Sequence, residues 1–280
     1  MPLLTKHLTP HGPRWAVDGR LLANDFQLGR LLNLRAADMP GFLRAAAGGD
    51  SPGGAPLAPV EAESEVWAAG VTYLRSRVAR EAESTVKDVY ARVYEAERPE
   101  LFFKAPGWRV AGHGMPIRIR GDSRWNVPEP ELTLVVTAAG EIAGFCAGND
   151  VSSRDIEGAN PLYLPQAKVY NGSCALGPGI SLCGAEALRD LPIDLVVHRA
   201  GGPIFSGATR TSQLKRPLQE LVDYLRRELD FPQGVFLMTG TGIVPPDDFS
   251  LAPGDRVRIT IGELTLENDV ASSAPLGTGP

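Results

Sequence analysis

An apolar run with a turn in its middle separates Glu129-Pro130-Glu131 from Asp150, and no other stretch constrains the chain as much. Residues 132–137 are rich in β-branched side chains, Ala138-Ala139-Gly140-Glu141 carries turn chemistry, and residues 142–147 return. The pattern predicts a β-hairpin. A turn centred between Ala139 and Gly140 sets Asp150 opposite Glu129. Side chains alternate along a strand, so Glu129 and Glu131 share a face and Asp150 joins them there. Carboxylates gathered in one small volume repel each other unless a cation neutralises them or protons stay on. All-oxygen ligands suit a hard divalent ion, Mg²⁺ ahead of Mn²⁺ or Ca²⁺. The spacing alone fits a second reading equally: three solvated acids on a hairpin. Pro130 favours the first, because proline within a strand belongs at an edge or bulge, and such places often border active sites.

The 280 residues are 43% hydrophobic and 22% charged, which allows one large domain, or a large one with a small one. A net charge of −5 without basic blocks argues against nucleic acid or an anionic membrane as partner. No apolar stretch is long enough to span a bilayer, and the N-terminus lacks the apolar core of a signal peptide. Cys146, Cys174 and Cys183 form no CxxC pair and read as reduced thiols in a cytoplasmic protein. Cys146 reads as a small apolar residue of the returning strand.

Residues 1–60 read as a small N-terminal unit ending in an Ala/Gly/Pro linker over 47–59, and residues 61–280 as the large unit. In the large unit, 66–71 predicts a strand ending in the loop 72–77, and 79–97 a helix. Residues 101–104 and 117–120 predict strands, 148–165 a polar loop, and 168–170 the start of another strand. Residues 191–199, 235–239 and 256–261 predict strands. Residues 211–229 predict a helix with Leu214, Leu218, Leu221 and Leu225 on one face. Strands outnumber helices without regular alternation, so the class is α+β and β-rich.

Gly177-Pro178-Gly179 and Thr239-Gly240-Thr241-Gly242 fit neither the P-loop nor the dinucleotide fingerprint. They read as turns, or as a backbone cradle for a carboxylate. His7, His11, His113 and His198 offer no metal-ligand spacing, since Thr9-Pro10 breaks the helix that would align the first two. Lys104 and Lys168 stand in aromatic or apolar company, as an acid–base or Schiff-base lysine would, and equally as snorkelling surface lysines do. Arg75, Arg77 and Arg154 fit carboxylate clamps or solvated charges.

Val127-Pro128-Glu129-Pro130-Glu131-Leu132 and Gly148-Asn149-Asp150-Val151-Ser152-Ser153-Arg154-Asp155 resemble motifs of the fumarylacetoacetate hydrolase superfamily. So do Lys168-Val169-Tyr170, Leu176-Gly177-Pro178, the glycine loop at 239–242 and Pro253-Gly254-Asp255, in the family's order over residues 65–270. The resemblance implies a catalytic domain of layered mixed sheet. It implies a divalent ion on Glu129, Glu131 and Asp150, Lys168 beside it as catalytic residue, and Thr241 at the site; Arg75, Ser76, Lys104, Lys168 and Thr241 are the candidates to hold a substrate. It also implies a homo-oligomer, dimer or tetramer.

One departure separates branches of that family. Hydrolytic members carry Asn-Tyr-x-x-His-x-x-Glu, whose His–Glu pair activates water, whereas this chain has Ser76 and Ala79 at those places. With Ser152 to Gly158 and Pro161 to Lys168, the substitution resembles the branch that dehydrates 2-keto-3-deoxy-pentonates to 2-oxoglutarate semialdehyde. The expected partner is a small 2-keto acid, with Mg²⁺ stabilising an enolate and Lys168 taking the C3 proton. A hydrolase, decarboxylase or tautomerase for an acylpyruvate or oxaloacetate is the second reading. A non-enzymatic protein pinned by a cation is the third.

Overall fold

The computed structural model of the chain describes residues 1–83 and 87–272. Strands β1 (Leu3–Thr9), β2 (Gly12–Val17) and β3 (Arg20–Leu21) come first, followed by helices α1 (Leu28–Leu32) and α2 (Met39–Ala46). Strands β4 (Ala55–Leu57) and β5 (Glu65–Gly70) lead into α3 (Leu74–Glu83) and α4 (Lys87–Glu95). Next are β6 (Glu100–Pro106), β7 (Ile117–Ile119), β8 (Asn126–Val127), β9 (Pro130–Val136), β10 (Ile142–Asp150) and β11 (Ser152–Ser153). After α5 (Arg154–Ala159) and α6 (Leu164–Lys168) come β12 (Cys174–Leu182), β13 (Pro192–Arg199), β14 (Gly202–Arg210) and α7 (Leu218–Leu225). Strands β15 (Val235–Met238), β16 (Arg256–Ile261) and β17 (Leu264–Ser272) complete the order.

The predicted hairpin is the centre of a ten-stranded sheet ordered β3-β2-β1-β12-β10-β9-β15-β5-β6, with β4 beside β1. A second sheet runs β14-β13-β16-β17-β7, and β11 pairs with β8. Parallel pairs, β15 with β5 and β17 with β7, mix with antiparallel ones, so the α+β class of layered mixed sheet holds. Leu132 and Leu134 of β9 and Phe145 of β10 share an apolar core with Leu195, Ile259 and Leu266 of the second sheet. On the opposite face, Val135 and Cys146 pack with Leu28 and Leu31 of α1 and Met39 and Leu43 of α2. Each fully buried apolar side chain of this size is worth about 1.5–3 kcal/mol. Residues 1–60 thus add four strands and two helices to the sheet that carries the hairpin.

Several elements differ from expectation. The linker contributes β4, whose residues Ala55–Leu57 pair with Lys6, His7 and Leu8. The loop over 72–77 gives way at Leu74 to α3, and the helix expected over 79–97 is two helices, with residues 84–86 outside the described ones. The polar loop over 148–165 holds the end of β10, then β11, α5 and the start of α6; its Asp150, Arg154 and Glu157 are buried. Lys168 closes α6 where a strand was expected to begin. The helix over 211–229 is confined to Leu218–Leu225, since Pro217 cannot sit inside it, and Leu214 instead bridges to Tyr73. Pro130 lies at neither an edge nor a bulge. It is the first residue of a central strand, where its missing N–H falls at the end of the ladder.

A bulge decides the hairpin's register. At the turn Ile142 pairs with Val136, whereas Gly144 pairs with Val135, so Ala143 is the extra residue. Beyond it Gly148 faces Glu131, Asn149 faces Pro130, and the Asp150 N–H donates to the Glu129 carbonyl at 3.0 Å. The expected pairing is therefore reached, but through the bulge. Were Ala143 instead paired with Val135 in a regular ladder, every later side chain of β10 would change face.

Candidate active site

The parallel strands β5 and β15 end together, and the loops leaving them meet the start of β9, the end of β10 and the start of β6. There Ala69, Gly70, Ser76, Glu100, Phe102, Glu129, Glu131, Asp150, Glu157, Leu164, Lys168, Gly240 and Thr241 line a cavity of about 20 Å³. That volume holds about one water-sized species.

Glu129, Glu131 and Asp150 are all buried, and each offers a carboxylate oxygen within 4.8 Å of the others. Burial, then Asp150 and Glu129 beside it, push the Glu131 carboxyl well above the usual carboxylate range. Burial acts on Asp150 in the same sense, but Lys104 and then Lys168 outweigh it and hold that carboxyl below its ordinary value. Glu131 Oε2 accepts the Gly240 N–H at 2.7 Å, so the glycine loop does cradle a carboxylate, though the protein's own. Gly240 adopts φ +91°, and an added Cβ would overlap Thr72 Oγ1.

Lysine and arginine surround the acids. Lys168 Nζ donates to Glu129 Oε2 and Asp150 Oδ2, both at 2.8 Å, and lies 5.9 Å from the Phe102 ring centre. Arg154 Nη2 lies 3.2 Å from Glu129 Oε1. Lys104 is fully buried off the cavity wall, its ammonium on Asp150 Oδ1, the Val151 carbonyl and the Lys168 carbonyl. Among the described residues Glu131 makes no ion pair, and Lys168 and the Gly240 N–H only partly offset the burial and the acidic neighbours that raise its carboxyl. An all-oxygen donor set with one unbalanced carboxylate fits a hard divalent cation.

The remaining expected residues divide. Ser76 lines the cavity and donates to the Tyr73 carbonyl at 2.8 Å, and Thr241 lines it while donating to the Ile243 carbonyl at 3.2 Å. Arg75, expected at the substrate, is exposed and absent from the wall. Successive helical residues point about 100° apart, so the turn of α3 that brings Ser76 inward carries Arg75 outward. Lys104, expected at the substrate too, stands behind Asp150. Sequence reasoning missed Glu100 and Glu157, the second of which accepts from Ser152 Oγ at 2.7 Å. Glu100 and Phe102 stand two apart on β6, a period that would have signalled a shared face. Gly177 and Gly179 lie within β12 and take no part in the wall. The thiols are buried or half-buried, and burial pushes Cys174 up to about 12 and Cys183 up to about 11, against nucleophilic use.

An α+β fold of mixed sheets, closing a carboxylate trio and a buried lysine into one small cavity, defines a class of enzymes whose site suits a hard divalent ion. The chain belongs to the fumarylacetoacetate (FAA) hydrolase C-terminal family, whose model matches residues 65–271. It is 50% identical over 216 residues, 76% of this chain and 74% of the relative, to a Haloferax volcanii protein described as a probable 2-keto-3-deoxyxylonate dehydratase. It is 42% identical over 207 residues to a 2-dehydro-3-deoxy-D-arabinonate dehydratase of Saccharolobus solfataricus, covering 71% of this chain and 69% of that one. A solved 2-keto-3-deoxy-D-arabinonate dehydratase, complexed with magnesium and 2,5-dioxopentanoate, superposes with a TM-score of 0.83 at 34% identity, over 98% of this chain and 100% of that one.

Proposed function

We propose that the chain is a Mg²⁺-dependent hydro-lyase that converts a 2-keto-3-deoxy-pentonate to 2,5-dioxopentanoate, which is 2-oxoglutarate semialdehyde. One observation carries the reading. Lys168 is the only basic side chain among the described residues of the wall, it touches two carboxylates of the trio, and no histidine is there to activate water. The names of the relatives support the reaction class. The ion and dioxo acid of the solved dehydratase support the cofactor and the product.

Glu129, Glu131 and Asp150 would hold the ion, which supplies Lewis-acid stabilisation of the charge that develops on a 2-keto acid losing a C3 proton. Lys168 takes that proton, since its Nζ stands at the cavity wall beside the trio. The C4 hydroxyl, β to the ketone, leaves as water once protonated. Glu100 and Glu157 are the acids of the wall outside the trio, and one of them delivers that proton. C5 then loses a proton, C3 regains one, and the enol so formed becomes the aldehyde. The Ser76 and Thr241 hydroxyls bind the substrate's polar groups, and Arg75 and Lys104 do not touch it.

Side-by-side kcat/KM values on racemic 2-keto-3-deoxypentonate and acetylpyruvate, with Mg²⁺, test the reading. Lacking a positioned water-activating base costs a factor of about 10²–10⁴, so the sugar acid is expected to be strongly preferred and to yield the dioxo acid. Preference for acetylpyruvate would reject dehydration in favour of carbon–carbon hydrolysis.

A further inference from the structure

Lys104 is the extra residue of a bulge in β6: Val66 pairs with Ala105 and Trp67 with Phe103, leaving it without a partner. Bulges re-aim side chains, and this one is wholly buried. An ammonium has three N–H donors and no acceptor. Here they meet the Val151 carbonyl at 3.2 Å, the Lys168 carbonyl at 2.5 Å and the Asp150 carboxylate. No donor is left for a substrate.

The acceptors belong to different segments. Asp150 ends β10, Val151 follows it, and Lys168 is the last residue of α6, whose terminal carbonyls lack helical partners. A cation is favourable at that helix end, and Ser173 Oγ donates to the same carbonyl at 2.8 Å. A closed circuit results. Lys104 Nζ binds Asp150 Oδ1, Asp150 Oδ2 accepts from Lys168 Nζ, and the Lys168 carbonyl returns to Lys104.

We propose that Lys104 is a positioning residue: it fixes the Asp150 carboxylate and the Lys168 backbone relative to each other, and contacts no substrate. Rotation of Asp150 is blocked because both of its oxygens are held. Lys168 cannot shift along α6 without breaking the bond from Lys104. The proposal rests on the dehydratase reading only for its kinetic readout.

Lys104→Met, close in shape but without donors, is compared with wild type by three measurements. They are the thermal melt, Mn²⁺ affinity by calorimetry without substrate, and kcat and KM on 2-keto-3-deoxypentonate. Removing a group that orients a metal ligand costs about 10–100-fold in metal affinity or activity. Expected, then, are a Mn²⁺ Kd raised about tenfold and a kcat lowered about 10²-fold, with KM within about threefold. A KM raised tenfold at full kcat would make Lys104 a substrate contact, and unchanged Kd and kcat would make it a bystander; either overturns the proposal. Should the methionine variant fail to melt cooperatively, Lys104→Arg decides. A planar guanidinium cannot aim its donors as an ammonium does, so kcat is expected to fall at least about tenfold at unchanged KM, and full kcat overturns the proposal. Lysine acetylation followed by mass spectrometry gives a test without substitution. Lys104 is expected to stay unlabelled in the folded Mg²⁺-loaded protein, and labelling that pyruvate suppresses would overturn the proposal. A wild type inert toward the sugar acid would reject the substrate reading alone, leaving Mn²⁺ affinity and labelling to decide Lys104.

Discussion

Glu100 reaches the cavity because residue 70 is glycine. A Cβ at Gly70 would overlap Glu100 Oε2, while the backbone of β5 at that point needs no left-handed conformation. The atom in the way is the end of a long side chain, which can swing aside at little cost to the fold. Gly70→Ala is therefore expected to move the Glu100 carboxylate off the wall, lowering kcat on the sugar acid about tenfold or more, while Tm stays within about 3 °C of wild type. Full kcat in the alanine variant would remove Glu100 from the proposed chemistry. This residue also marks what single positions reveal. Glu129, Glu131 and Asp150 were legible because their spacing converges across one predicted turn. Glu100, an acid beside aromatic neighbours, looks like any solvated charge until β6 is seen to present it and Phe102 to the cavity. Arg75 and Lys104 lie off the wall for a related reason: the helix that turns Arg75 outward and the bulge that sinks Lys104 are set by packing, which neither residue's neighbours declare.

Strands β9 and β10 are buried throughout, one face against the second sheet and the other against α1 and α2. Strands covered on both faces read as continuous apolar runs rather than alternating ones, so their type and, through the turn, their register were legible, and the bulge by which that register is reached was not. That register passes through Ala143 as its unpaired residue. Deleting Ala143 joins Ile142 to Gly144 with their partners Val136 and Val135 unchanged, so Asp150 is expected to stay opposite Glu129 on the face of the trio. Mn²⁺ binding should then stay near its wild-type strength. A deletion variant that melts cooperatively but binds Mn²⁺ more than about tenfold more weakly, as for loss of a ligand, would show that the bulge does more than absorb one residue. The short helices α5 and α6 escaped the sequence pattern for another reason. Gly158, Pro161 and Pro165 punctuate that stretch, and five- or six-residue helices carry too few turns for a period to emerge.

In the whole molecule the trio joins parts that are distant along the chain. Glu131 is tied to the loop after β15 through Gly240, Asp150 to β6 through Lys104, and Glu129 to α5 through Arg154 and to α6 through Lys168. An ion bound only by the folded chain stabilises it by mass action, about 2.7 kcal/mol at a hundredfold excess over Kd, and that gain is expected as a raised Tm. The pH dependence follows from Glu131. Its carboxyl is raised in the metal-free fold by burial and by its acidic neighbours, whereas the unfolded chain ionises near about 4.3. Its contribution to metal-free stability is thus fully present below about pH 4.3 and is lost as pH rises through the folded value. Ligation requires the ionised carboxylate, so this loss does not burden the ion-loaded protein. The difference in Tm between Mg²⁺ and chelator should therefore widen from pH 5 to pH 8. Melts across that range in both conditions check it: a constant gap would mean that Glu131 is already ionised in the metal-free protein, and no gap at any pH would mean that the trio binds no ion.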